Sequence, residues 1–282
     1  VAATFGRGFY VLDNYSPLRI LSKENLQKAA HLFPVKDALL YIEADPLGLE
    51  GTGFQGHNMW SAKNPSFGAT FSLHVKDVPK DLKSTRQQKE KDLEKEGKDV
   101  SYPSFDALKA EELDEAAKFI WIISDAKGSE IRRMSSAAQA GLVRQNWDLR
   151  KASTNPIGGW GRGPLVVPGT YYLRVLQVHN GQVDTLIAAT AFNVKGLNNQ
   201  TLIAKDNQAL DAFRAQVAEL NRKVSGQEKR FEEANQELEL IEKAILNFPN
   251  TNMALLAEVR KLKLLKEEAK VTLYGDGLRT KH

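Results

Sequence analysis

The chain has 282 residues, 42% hydrophobic and 26% charged, with 20 Gly, 10 Pro and no Cys. That is long enough for two modest domains with real cores. The missing cysteines exclude disulfides, thiolate chemistry and Cys-ligated metal centres. No run nears the roughly 18 consecutive apolar residues that a spanning helix needs. The net charge of +4 is spread out: 21 of the 41 residues at 76–116 are charged and sum to −3, while 117–205 carries +7. Nucleic-acid binders gather basic residues on one element, so no nucleic-acid partner is expected. The stretch that begins at Val1 does not read as a basic and apolar leader, so any export signal is expected upstream of it.

Residues 3–13 alternate apolar and small side chains and read as a strand kinked at glycine. Asn14-Tyr15-Ser16-Pro17 signals a turn. An amphipathic piece at 24–32 would place Leu26, Ala29 and Ala30 on one face, and 38–42 reads as a short strand. Residues 45–56 hold Gly48, Gly51, Gly53 and Gly56 and read as a loop, and Trp60 is expected to pack beneath it. Period-two alternation at 68–75 predicts a half-buried strand. The charged stretch 76–116 contains helix formers at 82–96 with almost no apolar stripe, closed by Gly97. It reads as a solvated insertion between two paired strands.

Strand signals then recur at 118–124, 130–134, 142–149, 170–178 and 185–194, separated by turn signals at Asp125-Ala126-Lys127-Gly128 and Asn180-Gly181. This rhythm predicts an antiparallel sandwich whose core includes Ile120, Ile122, Trp121, Trp147, Tyr171, Leu173 and Val175. Past Gly196 the period becomes helical. Leu210, Phe213, Val217, Leu220, Val224, Phe231, Leu238, Ile241 and Ile245 follow a heptad, with Gln227 and Ala234 filling the two gaps. Phe248-Pro249-Asn250-Thr251-Asn252 ends that helix. A second, over about 253–273, would turn Leu255, Val259, Leu262, Leu265 and Ala269 inward to form an antiparallel hairpin.

Three local signatures occur together. The opening Thr4-Phe5-Gly6-Arg7-Gly8-Phe9-Tyr10-Val11-Leu12-Asp13, followed by Ser16-Pro17-Leu18-Arg19, resembles the end of the last blade in sortilin-like bacterial propellers built from neuraminidase-type (BNR) repeats. The middle resembles their C-terminal Ig-like module. It is carried by Lys63-Asn64-Pro65, Gly68-Ala69-Thr70-Phe71, Ser124-Asp125-Ala126-Lys127-Gly128 with Ile131-Arg132-Arg133, Ala140-Gly141-Leu142, Trp147-Asp148-Leu149-Arg150 and Val167-Pro168-Gly169-Thr170-Tyr171. The module is also similar to the Ig-like domain of flagellar hook-capping proteins and to secretion-sorting modules. The charged insertion and the terminal helices are likewise features of the long propeller proteins. No Asp-box is present, so the resemblance implies the C-terminal part of a larger protein, cut inside its final blade and ending early.

The fold expected is mixed and mainly β. Residues 1–50 form the end of a propeller blade and a linker. Residues 51–198 form an Ig or fibronectin-III-like antiparallel β-sandwich with insertion 76–116, and 199–282 form a helical hairpin. The strand at 9–12 then needs a pairing partner.

Chemistry finds little support. The histidines at 31, 57, 74, 179 and 282 lack metal-ligand spacing, and neither glycine cluster has phosphate-loop spacing. Asp13, Asp125 and Asp148 read as turn carboxylates rather than a glycosidase pair. No catalytic residue, metal or cofactor is expected in this chain. Six residues are candidates for partner binding. Phe213, Val217, Leu220 and Val224 lie on the half of the seam that the shorter return helix cannot reach, so they should pack on the sandwich or on another protein. Trp160 and Arg162 lie in a glycine-rich loop that suits a partner or a sugar ring. The function expected is scaffolding or binding within a secreted or envelope propeller protein, its partner another protein or the upstream propeller. The alternatives are the accessory tail of a glycosidase- or peptidase-type hydrolase whose active site lies on the propeller, or a subunit of a permanent envelope assembly.

Overall fold

The computed structural model of the chain describes residues 2–4, 8–10, 14–43, 65–154, 162–198 and 205–275. Helix and strand both contribute, and two larger sheets are followed by C-terminal helices. The chain divides into two compact units, the first reaching residue 153 and resuming over 162–211, the second built on the residues from Ala212 onward.

The N-terminal stretch corrects the single kinked strand. β1 (Ala2–Thr4) and β2 (Gly8–Tyr10) are two strands that pair antiparallel with each other, Ala3 opposite Phe9. The partner of residues 9–10 is therefore local. A one-turn helix, α1 (Ser16–Ile20), follows directly on the turn signal at 14–17. The amphipathic piece at 24–32 divides between a second single turn, α2 (Lys23–Gln27), and strand β3 (Ala30–Leu32), to which Ala30 already belongs. Leu26 is exposed rather than inward.

The two larger sheets come from eight strands. β3, β5 (Ala69–Val75) and β8 (Gly141–Trp147) form one, in the order β3-β5-β8. The other contains β4 (Ala38–Leu40), β6 (Lys118–Ser124), β7 (Glu130–Ala137), β9 (Gly169–His179) and β10 (Gln182–Gly196), in the order β4-β10-β9-β6-β7. Every pairing is antiparallel except β4 with β10, which run parallel with Ala38 beside Val194. The chain thus crosses from one sheet to the other between residues 32 and 38.

The sheets share one core. Phe71 of β5 stacks on Trp121 of β6 with ring centroids 6.3 Å apart, and meets Phe192 of β10 edge-on at 5.2 Å. Trp147 is fully buried between Tyr171 and Phe192, and its indole N–H donates to the Arg150 carbonyl at 2.9 Å. The phase of β6 differs from the expectation. Phe119, Trp121 and Ile123 face the shared core, whereas Ile120 and Ile122 lie on the opposite face. The run is apolar at successive positions, so alternation alone does not choose a phase. On the outer face Ile122 pairs across to Arg133 and Arg174, whose aliphatic stems can cover it while the charges stay wet.

The insertion begins with α3 (Leu82–Lys95), capped by Asp81 and closed at Gly97 with φ 68°. It continues with α4 (Phe105–Leu113), which the weak periodicity of that stretch hides. Neither helix buries a residue. It joins β5 to β6, which belong to different sheets, so it does not link paired strands.

α5 (Asn207–Asn247), 41 residues in one helix, starts at the end of the first unit's residues and from Ala212 carries the second unit together with α6 (Leu255–Tyr274), 20 residues. At 1.5 Å per residue these span about 62 and about 30 Å. Glu242 meets Lys263 at 2.6 Å and Asn235 meets Lys266 at 2.5 Å, so contacts move down α5 as the chain moves up α6.

Candidate functional site

The a and d positions of α5 draw an apolar stripe, and the stripe changes character along the helix. In its C-terminal half Phe231, Ala234, Leu238 and Ile245 are wholly or partly covered, and Ile245 and Val259 of α6 are buried. In its N-terminal half Phe213 is 62% exposed, Val217 48% and Leu220 63%; Val224 is half-buried. The structure thus places three of the candidate partner-binding residues together in solvent, on one face, within two turns. Arg162 is exposed, in the first unit. Trp160 lies outside the described residues, as do Trp60, Asp13, His57 and His282.

α6 corrects the expected inward set. Leu255, Leu262 and Leu265 are exposed, and Leu256, Val259, Lys263, Lys266 and Ala269 are the partly or fully covered positions. Two adjacent apolar stripes compete on this helix, and lysines occupy part of the covered one because their ammonium groups reach Glu242 and Asn235. The consequence for the surface is large. Ile241, Phe248, Leu255, Leu262 and Leu265 join the exposed apolar residues of α5. Sequence reasoning placed Ile241, Leu255, Leu262 and Leu265 on the inner stripe and read Phe248 as part of the turn; the contacts of Lys263 and Lys266 decide the face, and the spacing alone does not show them.

The carboxylates behave as turn residues. One oxygen of Asp125 accepts the backbone N–H groups of Lys127 and Ser129, both at 2.9 Å, and Asp148 accepts that of Arg150 at 3.3 Å. A cleft of about 550 Å³ in the first unit is lined by Lys36, Asp37, Tyr41, Phe67 and Thr70 among others. Its Asp37 is bound by Lys195 and Asn193, and the lysine contact holds its carboxyl below the usual range. His31 and His74 stand opposite one another on β3 and β5. Burial, then the Lys28 cation, then His74 push the His31 imidazole below its ordinary pKa. Among the described residues no group of three or more His, Asp or Glu is placed to hold a metal ion. No helix among them is long and apolar enough to cross a membrane.

No protein-family model matches the chain, and no curated protein matches its sequence.

Proposed function

We propose that this chain is a non-catalytic scaffolding and interaction region of a larger secreted or envelope β-propeller protein. In this reading an Ig-like sandwich carries a helical hairpin whose free face binds protein. Several features support the Ig-like reading. The sheet order and the first strand divided between both sheets suit it. So does a buried Trp121 on the third strand of the sandwich, packed on Phe71. The Tyr171 hydroxyl donates to the Val167 carbonyl at 2.6 Å, the backward bond of a tyrosine corner. The reversed contacts of α5 and α6 support the hairpin.

The observation that carries the interaction role is the exposed stripe Phe213, Val217 and Leu220. Isolated exposed apolar residues are ordinary, but a contiguous stripe on heptad spacing marks an interface. Amide exchange across 206–224, compared between the wild-type protein and Phe213→Asp/Leu220→Asp, tests it. Protection in the wild type that the double variant loses, with β5 to β10 unchanged, is the expected result. Rapid exchange in both defeats the reading.

A further inference from the structure

We propose that the occupant of the α5 stripe is a second copy of α5, lying parallel and in register; this rests on the interaction reading above and names its partner. The layers in the uncovered half are Leu210, Phe213, Val217, Leu220, Val224 and Gln227 in order, alternating a and d. β-Branched residues at a with leucine at d favour two parallel strands. Val217, Leu220 and Val224 make that pattern at the middle of the segment.

Charge then selects the orientation. The flanking g positions are Ala209, Gln216 and Lys223, and the e positions are Arg214, Asn221 and Glu228. A parallel in-register pair sets each g against the next e of the other helix. Lys223 of one copy meets Glu228 of the second, twice by symmetry, and no other g–e contact in this half joins two charges. An antiparallel pair sets g near g and e near e, where Lys223 faces Gln216 and Arg214 faces Asn221, and the attraction disappears. Lys223 lies 3.8 Å from Glu219 on its own helix and is 70% exposed at the side chain, so its ammonium keeps donors for a second partner. Glu228 accepts from Tyr274, and a carboxylate has further lone pairs to offer.

The lower part of the unit fits the same two-fold arrangement. Ile241 and Phe248 continue the d positions, and Leu255, Leu262 and Leu265 make a second exposed stripe on α6. Two copies side by side would bring these together as a four-helix segment below a two-helix stem. A symmetric pair uses the same patch on both chains, so one apolar stripe serves both partners.

Sedimentation equilibrium on the full chain tests the arrangement. The wild type is expected to be a dimer. Lys223→Glu alone, or Glu228→Lys alone, turns two attractive contacts into two repulsive ones and should weaken the dimer roughly ten-fold, given the usual strength of exposed pairs. Lys223→Glu combined with Glu228→Lys in one chain should restore it. A wild type that stays monomeric, or a dimer indifferent to all three variants, overturns the parallel pairing. The amide exchange comparison separates this from the broader reading. A monomer whose 206–224 protection is still lost in Phe213→Asp/Leu220→Asp has a different partner. A monomer with no such protection has no interface there at all.

Discussion

A Cβ atom at residue 68 would stand 1.9 Å from the Trp147 carbonyl oxygen, and the backbone there has φ 112°. Only glycine fits, because the start of β5 passes directly against the end of β8. Gly68→Ala is therefore expected to destabilise the two-sheet unit, as seen by a lower urea midpoint. Trp147 itself lies at the meeting of Tyr171 and Phe192, fully enclosed. Trp147→Ala should cost about 3–5 kcal/mol in the same measurement, the range for emptying a large aromatic site. A near-neutral result would reject its role as a packing centre. Tyr171 gives a gentler test: burial first, then Asp211 and Asp125, push its hydroxyl up to about 12, so it remains a donor to Val167 throughout the neutral range. His31 titrates the other way. Its folded pKa lies below 6.5, so the unfolded chain binds the extra proton between the two values. Stability from this residue is complete above pH 6.5 and declines as the pH falls through the folded pKa. His31→Leu should flatten that part of the stability profile; an unchanged slope would show that another group is responsible.

At the scale of elements, the charged insertion is held at its base rather than by a core. The Asp114 carboxylate accepts from Asn180 Nδ2 at 2.6 Å and from the Leu82 N–H at 2.6 Å, with His179 at 3.7 Å. One side chain thus joins the start of α3, the end of α4 and the β9–β10 turn. Farther out, Arg86 grips Glu111 with two bonds and Glu90 with a third. The Asn180 hydrogen bond, the Leu82 N–H and His179 depress the Asp114 carboxyl. Its contribution is present above the ordinary carboxylate pKa of 3.8 and is lost as the pH falls through the folded value. Asp114→Ala is expected to speed amide exchange across 82–113 at neutral pH while β6 and β9 keep their protection. Equal exchange in variant and wild type would mean the helices are fastened elsewhere. α3 was legible because its signals are local: the helix formers at 82–96 run directly into the Gly97 that closes them, and the Asp81 cap lies beside them. The fastening was not, since Asp114 and Asn180 are 66 residues apart and each reads alone as an ordinary turn residue. The stripe on α5 was legible from its spacing. Which face α6 presents was not, because Leu255-Leu262-Leu265 and Leu256-Val259 are both plausible stripes and the lysine contacts decide between them.

At the scale of the whole molecule, the strand positions followed from alternation and turn residues, but their assembly into two sheets did not. Three-residue strands such as β3 and β4 carry too few side chains to declare a register, and a parallel pair needs partners far apart in the chain. β4 meets β10 across 156 residues, Ala38 beside Val194. That pairing has a mechanical consequence. Tension applied at the N-terminal side of β4 and the C-terminal side of β10 pulls the two strands in opposite senses along their own axes. The hydrogen bonds between them are then sheared together instead of peeled one after another. A tether entering through β4 and leaving through β10 meets its resistance at this small patch. In a single-molecule pulling experiment with handles at residues 37 and 197, Leu40→Pro should lower the rupture force by removing a ladder donor. The Leu40 carbonyl accepts from the Leu197 N–H, and this parallel register turns the Leu40 N–H toward β10 as well. The same substitution should change little when the load is applied across the β9–β10 turn, where the strands open like a zip.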